Sequence, residues 1–169
     1  KLSDLGLTPA APFTVTVEHG LNGLDVSAFG LNEGRRMLGD DYIVFYNNLR
    51  TPDGAVSAQL EGERATFTID LSRARLERVM LTATCDEALS RAPQLRVTLG
   101  SATFDAKAAL GQEKAAMLLE VYRHAGEWRV GAVGQGFVGG LGELIEYFGG
   151  EVERLAEPTA PAAPPITRR

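Results

Sequence analysis

The chain has 169 residues, of which 44% are hydrophobic and 23% are charged, and its formal net charge is −5. This length predicts a single domain with a real hydrophobic core, and the composition excludes a chain that is disordered throughout. The acidic balance repels phosphate backbones, so we expect no nucleic-acid partner.

Short apolar and alternating segments predict β-strands along the first half of the chain. Residues 13–17 and 65–69 alternate apolar and polar side chains, which is the period of a half-buried strand. Further strands are predicted at residues 25–31, 42–46 and 79–84.

Two turn-forming segments separate these strands. Residues 51–54 predict a turn, because Pro52 presets φ and Gly54 accepts a positive φ. Asp70 or Ser72 is expected to cap a helical turn that ends near Arg75.

The second half of the chain predicts two hairpins and one helix. Residues 95–99 and 102–105 flank a glycine turn, and residues 119–123 and 127–133 flank another. The composition of residues 115–122 is also compatible with a helix, although the hairpin explains this segment better. Residues 141–148 place apolar side chains at helical spacing, and two glycines follow them.

About nine short strands with frequent turns predict a mainly β fold. We expect an antiparallel β-sandwich with short helical elements, including one near the C-terminus. Residues 1–150 would form the domain, and the Pro/Ala-rich residues 151–169 would form a linker or tail. No apolar run approaches the ~20 residues of a membrane span, and no signal peptide is evident, so we expect a cytoplasmic protein without an integral membrane segment.

A glycine motif at residues 134–139 spells G-x-G-x-x-G between a predicted strand and a predicted helix. A dinucleotide site also requires a second parallel strand and an acidic residue about 20 positions further on. The sequence offers hairpins before the motif and a Pro/Ala tail after it. We therefore expect the glycines to permit close backbone packing, and we expect no nucleotide site.

No group of side chains predicts catalysis. Cys85 is the only cysteine and the chain has two histidines, too few for a zinc cluster. Adjacent acids such as Asp86 and Glu87 occur in predicted loops, where solvated carboxylates are the usual finding. The chain is expected not to be an enzyme.

Four sequence blocks occur in order along the chain: LDVSAFGL at 24–31, DYIVFYNNL at 41–49 followed by PDG at 52–54, EVYRHAGEW at 120–128, and AVGQGFVGGL at 132–141. Taken together, these blocks resemble the TerD family of bacterial tellurium-resistance and stress-response proteins. The resemblance implies a β-sandwich and a role in resistance to tellurite and to chemical stress.

The resemblance also implies calcium binding, because many members of the family bind calcium through acidic loops. This chain departs from the family pattern, since Gly23 replaces the first aspartate of a pair and the acidic loop shrinks to residues 59–63. Calcium affinity falls as carboxylates are removed. We therefore expect either no metal or at most one weak calcium site, whose candidate ligands are Asp25 and Glu87, with Asp41, Asn48 or Asp86 as further donors.

Two functions remain open at this point. The first is a non-enzymatic domain that binds other proteins of a stress-response assembly, with calcium binding reduced or lost. Both a monomer and a homo-oligomer are compatible with this function. The alternative is a calcium sensor that retains one weak site. Calcium is the only candidate cofactor for either function.

Overall fold

In the computed structural model, which describes residues 1–73 and 75–149, the chain forms two antiparallel β-sheets that share one core. The strands are β1 (Phe13–Glu18), β2 (Asp25–Leu31), β3 (Ile43–Val44), β4 (Val56–Leu60), β5 (Arg64–Ile69), β6 (Arg78–Thr84), β7 (Arg96–Leu99), β8 (Ala102–Asp105), β9 (Ala115–His124), β10 (Glu127–Ala132) and β11 (Gly136–Phe137). The helix α1 spans Leu141–Tyr147, and short 3-10 helices span Leu2–Leu5, Asp40–Tyr42, Leu71–Arg73, Leu89–Arg91 and Ala106–Ala109.

The first sheet has the strand order β4-β5-β1-β7-β8, and the second has the order β10-β9-β6-β2-β3. β11 pairs with β9 next to the end of β10. Inward side chains of the two sheets, such as Val15 and Phe67 from one and Val26 and Leu81 from the other, belong to the same buried cluster. The predicted antiparallel β-sandwich with a helix near the C-terminus is confirmed.

The two sheets differ in how much of their surface is covered. β1 and β5 bury every second side chain, so the outer face of the first sheet is solvated. β2 and β6 bury nearly every side chain, because the outer face of the second sheet is covered by α1. The difference is visible in the sequence, where β1 and β5 alternate, while β2 and β6 contain consecutive apolar residues, at 28–29 and 79–81, that point to both faces.

A second apolar cluster fills the space between the second sheet and α1. Phe148 follows α1, is fully buried and packs on Phe29 of β2 with ring centroids 4.9 Å apart. The buried members of this cluster are Phe29, Leu31, Ile43, Met80, Ala115, Met117, Phe137, Leu144, Ile145 and Phe148.

One buried charge lies on the same outer face of the second sheet. The Glu120 carboxylate, with a side chain 6% exposed, accepts two hydrogen bonds from Arg35 at 3.1 Å and one from Arg78 Nη1 at 2.6 Å. Burying a carboxylate is costly unless it is paired and hydrogen-bonded, and here both conditions are met. The ion pair between Glu120 and Arg35 also anchors the turn that contains Arg35, whose φ is +64°.

Most predicted elements are confirmed, with differences at a few segments. The proposed helical alternative for residues 115–122 is wrong, because the segment pairs with β6 and forms the first part of β9. β4 and β11 were not predicted. Asp70 accepts from the Ser72 backbone at 3.1 Å, which confirms it as the cap.

Two further expectations concern the C-terminal residues and membrane-spanning segments. The predicted tail at residues 151–169, and the domain boundary at residue 150, lie outside the described residues. The only α-helix within residues 1–73 and 75–149 has seven residues, so none there is long and apolar enough to cross a membrane.

Replacing Phe148 with Ala tests the packing of α1 on the second sheet. Removing a fully buried aromatic side chain should lower the free energy of unfolding by about 3–5 kcal/mol. Urea denaturation measures the loss. Tyr147→Ala, at a side chain that is 40% exposed, should cost less than half as much; equal losses would contradict the packing described.

Replacing Glu120 with Gln tests the buried ion pairs. The change leaves Arg78 without its charged partner and should lower the free energy of unfolding by roughly 2–4 kcal/mol. The matched control is Glu127→Gln, whose exposed pair with Arg129 should contribute under about 1 kcal/mol. Comparable midpoints for the two variants in a denaturant titration would show that the burial of Glu120 is unimportant.

Candidate functional site

Two of the predicted calcium ligands meet at one end of the second sheet. Asp25 begins β2 and lies opposite Thr84, the last residue of β6, because the two strands pair antiparallel. Partial burial, and secondly the negative charge of Asp86, raise the pKa of Asp25 above its ordinary value. The structure therefore brings Asp25 and Asp86 within electrostatic reach of each other.

Glu87 is engaged elsewhere. Its carboxylate accepts from Arg91 Nε at 2.7 Å, one turn further along the chain, and both side chains are exposed. An exposed ion pair of this kind contributes little to stability, so a cation could compete for the carboxylate at small cost.

Asn48 has a structural role in the loop that precedes β4. Its side-chain amide donates to the carbonyl oxygens of Asp41 at 3.1 Å and of Ile43 at 2.9 Å. Asp41 itself is exposed within a 3-10 helix. Asp41 and Asn48 are thus brought together through the backbone of Asp41, and its carboxylate takes no part in the contact.

The donor set is small for calcium. Calcium usually takes six to eight oxygen ligands. Within the described residues, no group of three or more His, Cys, Asp or Glu side chains is placed to hold a metal ion. Asp25 and Asp86 could supply two carboxylates, and any further ligands would have to be carbonyl oxygens or water, so calcium binding stays a prediction.

An open cleft of about 150 Å³ lies beside Asp25, between the outer face of the second sheet and α1. Asp25, Ser27 and Phe29 line it from β2, and Ile145 lines it from α1. Alternate residues of a strand point to the same face, so the sequence alone shows that Asp25, Ser27 and Phe29 share one side of β2. That α1 closes the other side depends on the tertiary fold.

Asp53, in the predicted turn, accepts several hydrogen bonds. Its carboxylate accepts from Thr51 Oγ1 at 2.8 Å and from the backbone N–H groups of Ala55 at 2.9 Å and Arg75 at 3.0 Å. The turn closes as predicted, with Gly54 at φ +76° and its N–H donating to the Thr51 carbonyl. Asp53 thereby ties this turn to the segment that precedes β6.

These hydrogen bonds set the acidity of Asp53. Desolvation alone would raise the pKa of Asp53, but the donors from Arg75, Ala55, Thr51 and Tyr42 together lower it below the ordinary 3.8. A carboxylate with this environment is typical of a structural aspartate that must remain ionised.

The glycine motif does not form a nucleotide-binding turn. β11 lies inside the motif and runs antiparallel to β9, so no parallel βαβ unit is built there. A Cβ added at Gly136 would lie 2.5 Å from Glu113 Cγ and 3.2 Å from the Ala115 carbonyl oxygen. The prediction that the glycines permit close packing is confirmed at this position.

Asp53→Asn tests the turn through the pH dependence of stability. Because the pKa of Asp53 is lower in the folded state, its stabilisation is present above pH ~3.8 and is lost as the pH falls through the folded pKa. The variant should lose about 1–3 kcal/mol at pH 7 and less at pH 2–3. Thermal melts across this range measure it, and Asp4→Asn, at an aspartate 74% exposed, is the control. A pH-independent loss would contradict the argument.

Comparison with known proteins gives a consistent result. The family model of the TerD domain matches residues 14–148 of this chain. Tellurium resistance protein TerD of Serratia marcescens is 28% identical over 182 residues, covering 88% of this chain and 95% of the relative. Chemical-damaging agent resistance protein B of Clostridium acetobutylicum is 30% identical over 128 residues, covering 63% of this chain and 92% of the relative.

A longer relative contains the same region as one part of its chain. Tellurium resistance protein TerA of an Alcaligenes species is 38% identical over 132 residues. The match covers 73% of this chain and 38% of the relative, so the chain spans well under half the length of that protein.

Proposed function

This chain belongs to the TerD domain family, and from that premise we propose that it serves resistance to tellurite and chemical stress as a non-enzymatic protein-interaction module. The observation that carries the proposal is the match over residues 14–148, together with relatives named for tellurium resistance. Cytoplasmic location and partners within a stress-response assembly are parts of the same proposal.

The modular character is supported by the longer relative. The region shared with TerA of the Alcaligenes species makes up 38% of that protein, so a domain of this kind occurs joined to other chain segments. A domain that is joined to other segments can use its surface to contact them.

Exposed apolar side chains supply such a surface between β3 and β4. Tyr46 is 60% exposed and Leu49 is 47% exposed. Aromatic and large apolar side chains are enriched at the centres of protein interfaces, where they contribute much of the binding free energy. We propose that the partner is a protein that covers Tyr46 and Leu49.

The double variant Tyr46→Ser/Leu49→Ser tests the interaction. Since both side chains are exposed, its melting temperature should stay within a few degrees of the parent value. In a host that lacks the native gene, the parent chain should restore growth on tellurite and the double variant should not. Cross-linking in stressed cells, followed by mass spectrometry, should recover partners only with the parent chain.

Val138→Ser is the matched control, because Val138 is 65% exposed and lies outside the Tyr46–Leu49 segment. It should behave as the parent chain does in both assays. Restored tellurite growth with the double variant, or a chain that stays a free monomer in every stressed culture, would refute the interaction module.

A calcium sensor is the second candidate, and the proximity of Asp25 and Asp86 favours it. Two like charges near each other are destabilising, and a bound divalent cation would relieve their repulsion. In this case calcium would stabilise the end of the second sheet where β2 begins and β6 ends.

A thermal melt with and without calcium tests the sensor. If the dissociation constant lies tenfold below the free calcium concentration, calcium should add about 1.4 kcal/mol to the free energy of unfolding. Asp25→Asn should abolish the gain. Glu61→Gln, at an exposed glutamate paired with Arg64, should keep it; no shift in the parent chain at millimolar calcium would end this hypothesis.

A further inference from the structure

The cleft beside Asp25 has an apolar floor and an aromatic rim. Phe29, Ile43 and Ile145 line it and are buried in the cluster beneath α1. Phe45 and Tyr46 also line it, with Tyr46 largely exposed. Its volume of about 150 Å³ is that of a cavity that accommodates a benzene ring.

The other end of the same cleft is polar. Ser27 and Thr84 line it, and each residue is 6% exposed. Neither hydroxyl forms a hydrogen bond with another side chain or backbone group in the part of the chain that the structure describes. Both hydroxyl oxygens are open to the cleft, where a ligand can form hydrogen bonds with them.

The charge at this end is negative and unpaired. Asp25 lies opposite Thr84 and two residues before Ser27, so the carboxylate and both hydroxyls share one face of the sheet. Across residues 1–73 and 75–149, neither Asp25 nor Asp86 forms an ion pair with a basic side chain. Charge complementarity therefore favours a cation.

The side chains that line the cleft determine which kind of cation fits. A metal ion requires a shell of oxygen ligands, and one side of the cleft offers only hydrocarbon. An organic ammonium ion matches both ends, since its N–H groups donate to a carboxylate and hydroxyls while its apolar part fills the cleft. Aromatic rings next to the site add cation–π attraction.

We propose that this cleft binds a small organic ammonium ion whose apolar group is about the size of a benzene ring. The ammonium group contacts Asp25, Ser27 and Thr84, and the apolar group lies on Phe29 and Ile145. The inference goes beyond the interaction module and the calcium sensor and requires neither of them.

Benzylammonium is the probe, titrated into the full chain at pH 7 in calcium-free buffer and followed by the amide and methyl shifts of residues that line the cleft. Three controls each remove one feature of the probe. Benzyl alcohol lacks the charge, methylammonium lacks the ring, and benzoate reverses the charge. Benzylammonium should bind at least tenfold more tightly than each control.

Variants locate the site. Asp25→Asn should remove the preference of the chain for benzylammonium over benzyl alcohol, and Thr84→Val, which deletes a hydroxyl with little change in volume, should weaken benzylammonium several-fold. Glu127→Gln, which changes an exposed acid that does not line the cleft, should leave the affinity unchanged. Melting temperatures establish that each variant is folded before titration.

Should Asp25→Asn unfold the chain, Thr84→Val and the three control ligands still test the proposal. Equal affinity for benzylammonium and benzyl alcohol in the parent chain would overturn it. So would shifts that map away from Phe29 and Ile145, or a benzylammonium affinity that Thr84→Val leaves intact.

Discussion

The central strands of the second sheet, β2, β6 and β9, are buried on both faces, because the first sheet covers one side and α1 covers the other. Apolar burial is the main favourable term in folding, so a strand covered on both faces carries apolar side chains on both, as Val79, Met80 and Leu81 do in β6. The short C-terminal helix therefore completes the domain, since without Phe148 and Ile145 the outer face of these strands would meet water.

Polar groups occur toward both ends of this sheet, which is covered on both faces, and they differ in whether they have hydrogen-bond or charge partners. Toward one end, Glu120 is matched by Arg35 and Arg78, so its charge is compensated in the folded chain. At the other end, Asp25 and the hydroxyls of Ser27 and Thr84 face a cleft and have no such partners among the described residues. A compensated buried charge is typical of architecture, and an uncompensated polar group beside a cleft is typical of a binding site.

The candidate calcium ligands also differ in their surroundings. Glu87 is paired with Arg91, and Asn48 uses its amide to close the loop after β3. Asp53, which was considered only as a turn residue, accepts more hydrogen bonds than any of the candidate ligands. Residue type alone did not distinguish these roles, because a carboxylate in a loop can cap, pair or bind according to its neighbours.

Periodicity, turn chemistry and four sequence blocks determined the strands, the hairpins, the helix at residues 141–147 and the family of this chain. These features are local, since each depends on the spacing and conformational preferences of neighbouring residues. β11 was not predicted because it has only two residues, whereas β4 was missed although its sequence, VSAQL, alternates apolar and polar side chains. Only the tertiary structure placed Thr84 opposite Asp25, closed the cleft with Ile145 and paired Glu120 with Arg35, because strand register and helix packing join residues that are far apart in the sequence.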